Sequence, residues 1–552
     1  MKPSEWVTAT RAELDALLAL AQPVFPAAQY QLLEAVLDTF VFTMQGLQNA
    51  KTSIKRLRAM LFGTRTESRS RVLKGMLKEL DASAPGVPAA VVAAGTTPAD
   101  APVKPPAPKR PGHGRIGASA YRDAPVIERA VTEVRAGEVC PKCGAGKVYD
   151  SPPRTIVKMA GQPPLTATVY KLQCLRCRVC EKIFTAALPQ GVSATPKYDP
   201  SCASVLALLR YGSGVPFYRL QALQASLHTP VPDATQWDIV RKALPGPRAV
   251  YDELIRQAAQ APLLHNDDTR MKVLSLMAER ARLEATGKTP ESLAIQTTAI
   301  VAALAPQRQV VLYFTGHRHA GQNMERVLEQ RAAGAVIPIQ MSDALASNFA
   351  GEFKTLVAKC LTHARRGVVD VFEQFPQEAR RVIDALALIY VHDAYCRTEG
   401  LSDLQRLLYH QAHSQPVMEG LKTWIDEQFS QHLVEPSSGL GKALRYMLNH
   451  WDGLTLFLRQ PGAPLDNNLC EQMLKRAIAH RKNSLFYKTE KGAAAGDAYM
   501  SVIHTCSACG VNAFEYLQAL QIHVKQVLAQ AALWLPWNYH EQLGTPPRAG
   551  PA

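Results

Sequence analysis

Val336-Ile-Pro-Ile-Gln-Met-Ser-Asp343 reads as a short apolar strand that ends on a carboxylate. A charge at the end of a buried strand is costly unless it is paired or ligated. Two other stretches supply companions for it. Leu263-Leu-His-Asn-Asp-Asp-Thr269 sets Asp267 after a second short apolar run. Leu465-Asp-Asn-Asn-Leu-Cys-Glu-Gln-Met-Leu-Lys-Arg476 sets Glu471 in a helical pattern opened by the capping signal Asp466-Asn467-Asn468. Strand-end carboxylates and one from a helix suit divalent metal. Two ions about 3.5–4 Å apart would activate a water or a 3′-hydroxyl and stabilise the leaving oxygen of a phosphodiester. The pattern therefore predicts nuclease or strand-transfer chemistry.

Further blocks surround these three. Asn266-Asp267-Asp268-Thr269, Met341-Ser342-Asp343-Ala344-Leu345, Cys360-Leu361-Thr362-His363-Ala364-Arg365-Arg366, Asp466-Asn467-Asn468-Leu469-Cys470-Glu471 and the run from His480 to Lys488 occur in that order. Together they resemble the signature blocks of the insertion sequence 66 family of DDE transposases, TnpC type. The resemblance extends from about Leu61 to Tyr539. It implies a ribonuclease-H-like catalytic core with Asp267, Asp343 and Glu471 as the acidic triad and Mg²⁺ or Mn²⁺ as cofactor. Asp268 stays open as the alternative first ligand, because spacing does not choose between adjacent aspartates. The expected activity is cleavage at each element end followed by attack of the freed 3′-hydroxyl on target DNA. Double-stranded DNA, further copies of the chain and two small element-encoded accessory proteins are the implied partners. The rival reading is a catalytically inactive, zinc-containing DNA-binding regulator.

Composition agrees with a polyanionic partner. Lys and Arg total 62 against 47 Asp and Glu, giving a formal charge of +15 and a pI near 9.3. No apolar run approaches the roughly 18 residues of a membrane span, and Met-Lys-Pro-Ser-Glu-Trp lacks a secretory core. The expectation is a cytoplasmic, nucleoid-associated protein without a membrane partner. Eleven cysteines are too few for a disulfide scaffold at this length, and several fall in Cys-x-x-Cys pairs.

The expected organisation is multidomain α/β. Residues 1–80 read as helical, with a coiled-coil stripe from Leu33 through Leu37, Phe40, Met44, Leu47, Ile54 and Leu61. Residues 81–114, rich in Ala and Pro, read as a disordered linker. Residues 115–195 form a zinc-binding domain in which Cys140, Cys143, Cys177 and Cys180 supply four thiolates for a tetrahedral ion. Cys174 offers an alternative pair with Cys177; Phe184, mirroring Tyr149 after the first knuckle, favours Cys180. Residues 196–250 suit a helix-turn-helix, with Asp233 as N-cap and Thr235 and Gln236 reaching base edges. The core is expected over 251–505, with strands at Val273 to Met277, Ala299 to Leu304 and Val310 to Phe314, Asp267 beside the first, and a helical insertion at about 379–458. Residues 506–552 close the chain.

Arg365 and Arg366 read as phosphate ligands. So does the basic run after Glu471, comprising Lys475, Arg476, His480, Arg481, Lys482 and Lys488. Cys360-x-x-His363 has no second pair nearby in sequence, so a packed cysteine and a polar histidine are expected there.

Overall fold

The computed structural model describes residues 11–37 with gaps, Val126, residues 131–151, and residues 163–544 apart from 179, 194, 287–293, 350 and 352. The linker expected over 81–114, most of the stripe expected over 30–63 and the tail after Gly544 lie outside the described residues. The chain divides into two compact units, Thr64–Gln162 and Met1–Gly63 with Pro163–Ala552.

In the first unit, the described segment centres on a turn at Cys140. The Cys140 carbonyl accepts from the Gly144 N–H at 2.9 Å, and the Cys140 N–H donates to the Gly146 carbonyl at 2.7 Å. Gly144 has φ +66°, a conformation that glycine adopts without steric cost.

The second unit opens with α1 (Arg11–Ala21) and the antiparallel hairpin β1 (Cys174–Arg176) and β2 (Ile183–Thr185). Four helices follow: α2 (Pro200–Ala207), α3 (Phe217–Ser226), α4 (Asp233–Ala243) and α5 (Pro245–Ala258). Asp199 caps α2 by accepting from the Cys202 N–H at 3.1 Å.

The central sheet comes next: β3 (Leu263–Arg270), α6 (Leu274–Ala285), β4 (Gln296–Ala305), β5 (Arg308–Gly316), α7 (Ala320–Leu328), β6 (Ile339–Ser342) and β7 (Leu356–Lys359). Its spatial order is β5-β4-β3-β6-β7. Strand β4 is antiparallel to both of its neighbours, β5 and β3, and β6 and β7 run parallel to β3. The expected strand at Val273 to Met277 is instead the entry to α6. A five-residue apolar run does not discriminate helix from strand. Here Val273 and Leu276, three apart, are the positions turned into the core, whereas Leu274 and Met277 are exposed. Asp267 lies inside β3 rather than beside a later strand.

After β7 come α8 (Leu361–Val369), α9 (Pro376–Thr398), α10 (Asp403–His413), α11 (Gln415–Ser430) and α12 (Gly439–Asn449), and then α13 (Asn468–Ser484) and α14 (Glu490–Ala508). Strand β4 is an almost unbroken apolar run, buried from Thr297 to Ala302, as expected of a strand covered on both faces. Strand β5 would be an open edge, and α14 closes it. Side chains one helical turn apart accept successive outward N–H groups of β5: Thr505 from Val311 at 3.0 Å, Ser501 from Tyr313 at 2.9 Å, and Asp497 from Thr315 at 2.8 Å. Four residues of helix rise about 6 Å and two of strand about 6.8 Å, so the registers nearly match. The C-terminal aromatics Trp534 and Tyr539 pack into the same core.

Candidate metal centre

Register brings the first two carboxylates together. β3 and β6 pair in parallel as Leu263 with Ile339, Leu264 with Gln340 and His265 with Met341. That register, continued by two residues, points Asp343 toward Asp267, and the Asp343 charge is felt at the Asp267 carboxyl. Gly321 lets the start of α7 approach the backbone of Ser347 and Phe349, in the loop that follows Asp343; a Cβ there would collide with both carbonyl oxygens. The Asp343 carboxylate accepts from the Leu345 N–H at 3.1 Å and from the Asn348 side-chain amide, so the loop fixes it.

Glu471 arrives through Asn467, the fully buried N-cap residue of α13. The Asn467 side chain does not cap the helix. Its Oδ1 accepts from His265 Nδ1 at 3.0 Å and its Nδ2 donates to the Asn266 carbonyl at 3.0 Å, while its backbone N–H donates to Cys360 Sγ at 3.3 Å. The Leu361 N–H also donates to the Leu465 carbonyl at 3.0 Å. Strand β3, the start of α8 and the start of α13 are thus tied at one point, four residues before Glu471. The capping acceptor is Asp466, which receives the Asn468 N–H at 3.0 Å.

Alternation along β3 separates the two adjacent aspartates. Asp268 faces α7: it accepts from Thr298 at 2.5 Å and from the Ala320 N–H at 2.6 Å. Asp267 belongs to the face of His265 and Thr269, which contact α13 through Asn467 and Arg481. Burial pushes the Asp267 carboxyl up to about 7, and the charges of Asp343, Asp268 and Glu471 add to the rise. Burial first and neighbouring carboxylates second disfavour the charged form there.

Beside Glu471 stands His363, from the first turn of α8. Its Nδ1 lies 3.9 Å from Glu471 Oε1, and both atoms are buried without a hydrogen-bond partner. Cys360 completes a group of three donors within 4.8 Å of one another. Burial pushes its thiol up to about 11. The sequence flagged Cys360-x-x-His363 but not its third member, which lies in another block.

The expected DNA-binding residues divide. Lys482 and Lys488 are exposed, Arg366 is exposed on α8 and Arg365 is half-buried. Arg481 is committed within the fold, donating to Thr269 Oγ1 at 2.9 Å and to the Arg270 carbonyl. His480 is not part of a basic patch. It is 2% exposed, stacks on Tyr487, and burial together with the Arg210 charge pushes it down to about 3, so it is neutral. On α4, Pro232 rather than Asp233 holds the N-cap position. Thr235 is half-buried, and Gln236 is fully buried, its amide donating to the Val231 carbonyl at 2.7 Å. Gln236 therefore braces the turn before α4 and is turned away from any base edge.

Helical spacing places Lys475 and Lys482 on the same face of α13 as Glu471, and both are exposed. Near the end of β3, Arg270, Lys272, Arg280 and Arg481 line a cavity of about 640 Å³ with Met271, Met277 and Ile295 on its apolar side.

The second cysteine knuckle shares with the first a bond from the residue four on to the leading cysteine's carbonyl, and its second bond closes over five residues instead of six. The Cys177 carbonyl accepts from the Glu181 N–H at 3.1 Å, the Cys177 N–H donates to the Lys182 carbonyl at 3.0 Å, and Glu181 has φ +59°. Cys174 sits in β1, with its sulfur 3.4 Å from Thr185 Oγ1 across the hairpin. Among the described residues no helix is long and apolar enough to cross a membrane.

Fold and site together define a mixed α/β protein with carboxylates within and just after two adjoining central strands. The chain matches the Transposase IS66 family over residues 197–495, more than half its length, and belongs to that family. It is similar to the uncharacterized protein y4hP of Sinorhizobium fredii (strain NBRC 101917 / NGR234), 24% identical over 88% of each chain. It is also similar to the uncharacterized protein y4jD of the same organism, 23% identical over 67% of this chain and 72% of that one.

Proposed function

We propose that this protein is the DNA transposase of a bacterial-type insertion sequence, cutting strands at the element ends and joining them to target DNA. The observation that carries the reading is the electrostatic coupling of three carboxylates: the charges of Asp343, just after β6, and Glu471, on α13, both raise the Asp267 carboxyl on β3. The strand order, three antiparallel and two parallel with carboxylates on the adjoining β3 and β6, supports a ribonuclease-H-like core. Helices α9 to α12, between β7 and α13, are its helical insertion.

Asp267, Asp343 and Glu471 would hold Mg²⁺ or Mn²⁺. The bound ions supply Lewis acidity and a template for the attacking and leaving oxygens of an in-line displacement. Asp268 fixes the start of α7, Asn467 aims Glu471, and Lys475 and Lys482 draw the phosphate backbone along α13 toward the carboxylates. The cavity lined by Arg270, Lys272 and Arg280 extends this cationic surface past the end of β3. The Cys-x-x-Cys spacing of Cys140 with Cys143 and of Cys177 with Cys180, a matter of sequence, carries the further proposal of structural zinc. Family membership implies a DNA partner; self-association at paired ends and element-encoded accessory proteins complete the proposal.

The test uses purified full-length protein, its accessory partners and labelled element ends, with Mg²⁺ and then with EDTA. Asp343→Asn and Glu471→Gln should fold and bind ends yet cut at background. Wild-type cleavage by Glu471→Gln would remove the triad from the mechanism.

A further inference from the structure

His363 Nδ1 and Glu471 Oε1 are buried, face one another and have no hydrogen-bond partner. At 3.9 Å they are too far apart for a direct hydrogen bond. Native folds rarely leave two such atoms facing each other unsatisfied, because neither recovers the hydration it lost. A cation between them satisfies both. Donors about 2.1 Å from one ion lie roughly 3 Å apart when adjacent and roughly 4.2 Å when opposite, and 3.9 Å falls between these limits. Cys360 is in reach, but its sulfur is occupied by the Asn467 N–H at 3.3 Å, and soft sulfur is a poor ligand for the hard ions of phosphoryl transfer. The placement of His363 is itself held: Cys360 and Leu361, which begin its helix, are bonded to Asn467 and Leu465, in the segment that leads to Glu471.

We propose that His363 ligates, through Nδ1, the same divalent ion as Glu471, and that this nitrogen ligand biases the site toward Mn²⁺ over Mg²⁺. The inference rests on the reading of Glu471 as a metal ligand. Mg²⁺ strongly prefers oxygen, whereas Mn²⁺ stands above it in affinity for imidazole. A site of carboxylates alone would lack that bias.

The experiment is Mn²⁺ binding to full-length protein without DNA, followed by electron paramagnetic resonance, with Mg²⁺ as competitor. Pulsed detection reads nitrogen coupled to the bound Mn²⁺. The wild type should show that coupling. His363→Ala should abolish it and weaken Mn²⁺ binding roughly tenfold or more, with a much smaller change for Mg²⁺. His363→Gln, which returns an oxygen donor, should lose the nitrogen signal while recovering part of the affinity. Circular dichroism melting verifies that both variants fold. Nitrogen coupling that survives His363→Ala, or is absent from a wild type whose Mn²⁺ is released by Glu471→Gln, overturns the assignment of His363 alone. Mn²⁺ binding equal in wild type, Asp343→Asn and Glu471→Gln overturns the carboxylate reading beneath it.

Discussion

Asp267 and Asp268 are neighbours on β3 that project to opposite faces of the sheet: Asp268 accepts the Ala320 N–H at the start of α7, and Asp267 shares the face packed against α13. The pair thus has two jobs. Asp267→Asn should leave folding intact and reduce strand cleavage to background. Burial raises the Asp268 carboxyl, so its charge is not the stabilising feature; its two oxygens accept separately from Thr298 and the Ala320 N–H, and Asp268→Asn, with one acceptor oxygen, should lower stability by about 1–3 kcal/mol. Its residual cleavage should track its folded fraction. Equal loss of cleavage in both variants at a temperature where both are folded would contradict the division.

The basic residues after Glu471 divide in the same way. Lys482→Ala should weaken binding to every DNA sequence and reduce the salt slope by about one, the signature of a single phosphate contact. Lys475→Ala should behave alike. Arg481→Ala removes donors to Thr269 and the Arg270 carbonyl, so it should first lower the melting temperature. An unchanged melting temperature with a salt slope lowered by Arg481→Ala would return that residue to the DNA surface.

The cysteine knuckles carry a prediction about zinc content. Cys143→Ser and Cys180→Ser should each lower bound zinc measured by atomic absorption, because each Cys-x-x-Cys pair would supply two of the four thiolates that a tetrahedral ion takes. Backbone N–H groups of Ala145 and Gly146 hold the Cys143 thiol below its ordinary value, which favours the thiolate that zinc needs. Cys174→Ser should change zinc little. The reverse result for Cys174 and Cys180 would exchange them in the site.

How far the chain could be read without its structure depends on the range of the interactions. The apolar runs of β4 and β5 are local signals, and the strands stand over those runs; the run before Asp343 is strand only from Ile339, with Val336 and Ile337 exposed ahead of it. β3 was legible only as the short apolar run before Asp267, because Leu263 and Leu264 are followed by six polar residues. His265 and Asn266 are buried there by virtue of Asn467, Gln340 and Asn348, all distant in sequence. The same distance concealed the meeting of His363 with Glu471. Gln236 and His480 misled for the converse reason: residue type suggests a surface, and burial depends on neighbours such as Val231 and Tyr487 that periodicity does not reveal.

A pH prediction follows from Asp497. Burial pushes this carboxyl up to about 7, only partly offset by its bonds from Thr315. An unfolded aspartate titrates near about 3.9. Between these values the folded protein holds a proton that the unfolded chain has released, so stability is full at low pH and falls as pH rises through about 7. Asp497→Asn preserves shape and the acceptor for the Thr315 N–H while removing the titration. In EDTA, calorimetry should find the variant close to wild type near pH 5 and more stable near pH 8, by on the order of 1–3 kcal/mol. Asp267 contributes a slope of the same sign, so the difference between the two curves isolates Asp497. A variant less stable than wild type at pH 8 would show that the charged form is favoured in place.

Asn467 is the residue whose loss should separate positioning from stability. It is fully buried; its side chain joins His265 to the Asn266 carbonyl, and its N–H reaches Cys360. Burial pushes His265 down to about 4, so the ring is neutral at physiological pH and donates through Nδ1. Asn467→Ala would leave that donor and the Asn266 carbonyl unpartnered, at roughly 1–3 kcal/mol each. It would also free the start of α13, four residues before Glu471. Stability should therefore fall, and Mn²⁺ affinity should fall with it even at a temperature where the variant is fully folded. Leu254→Ala, deep in the core on α5, is the control: a cavity there should cost about 2–5 kcal/mol without moving Glu471. The expected result is two proteins of similar melting temperature, of which only Asn467→Ala binds Mn²⁺ weakly and cuts DNA slowly. Matching metal affinities in the two variants would reduce Asn467 to one more buried polar contact.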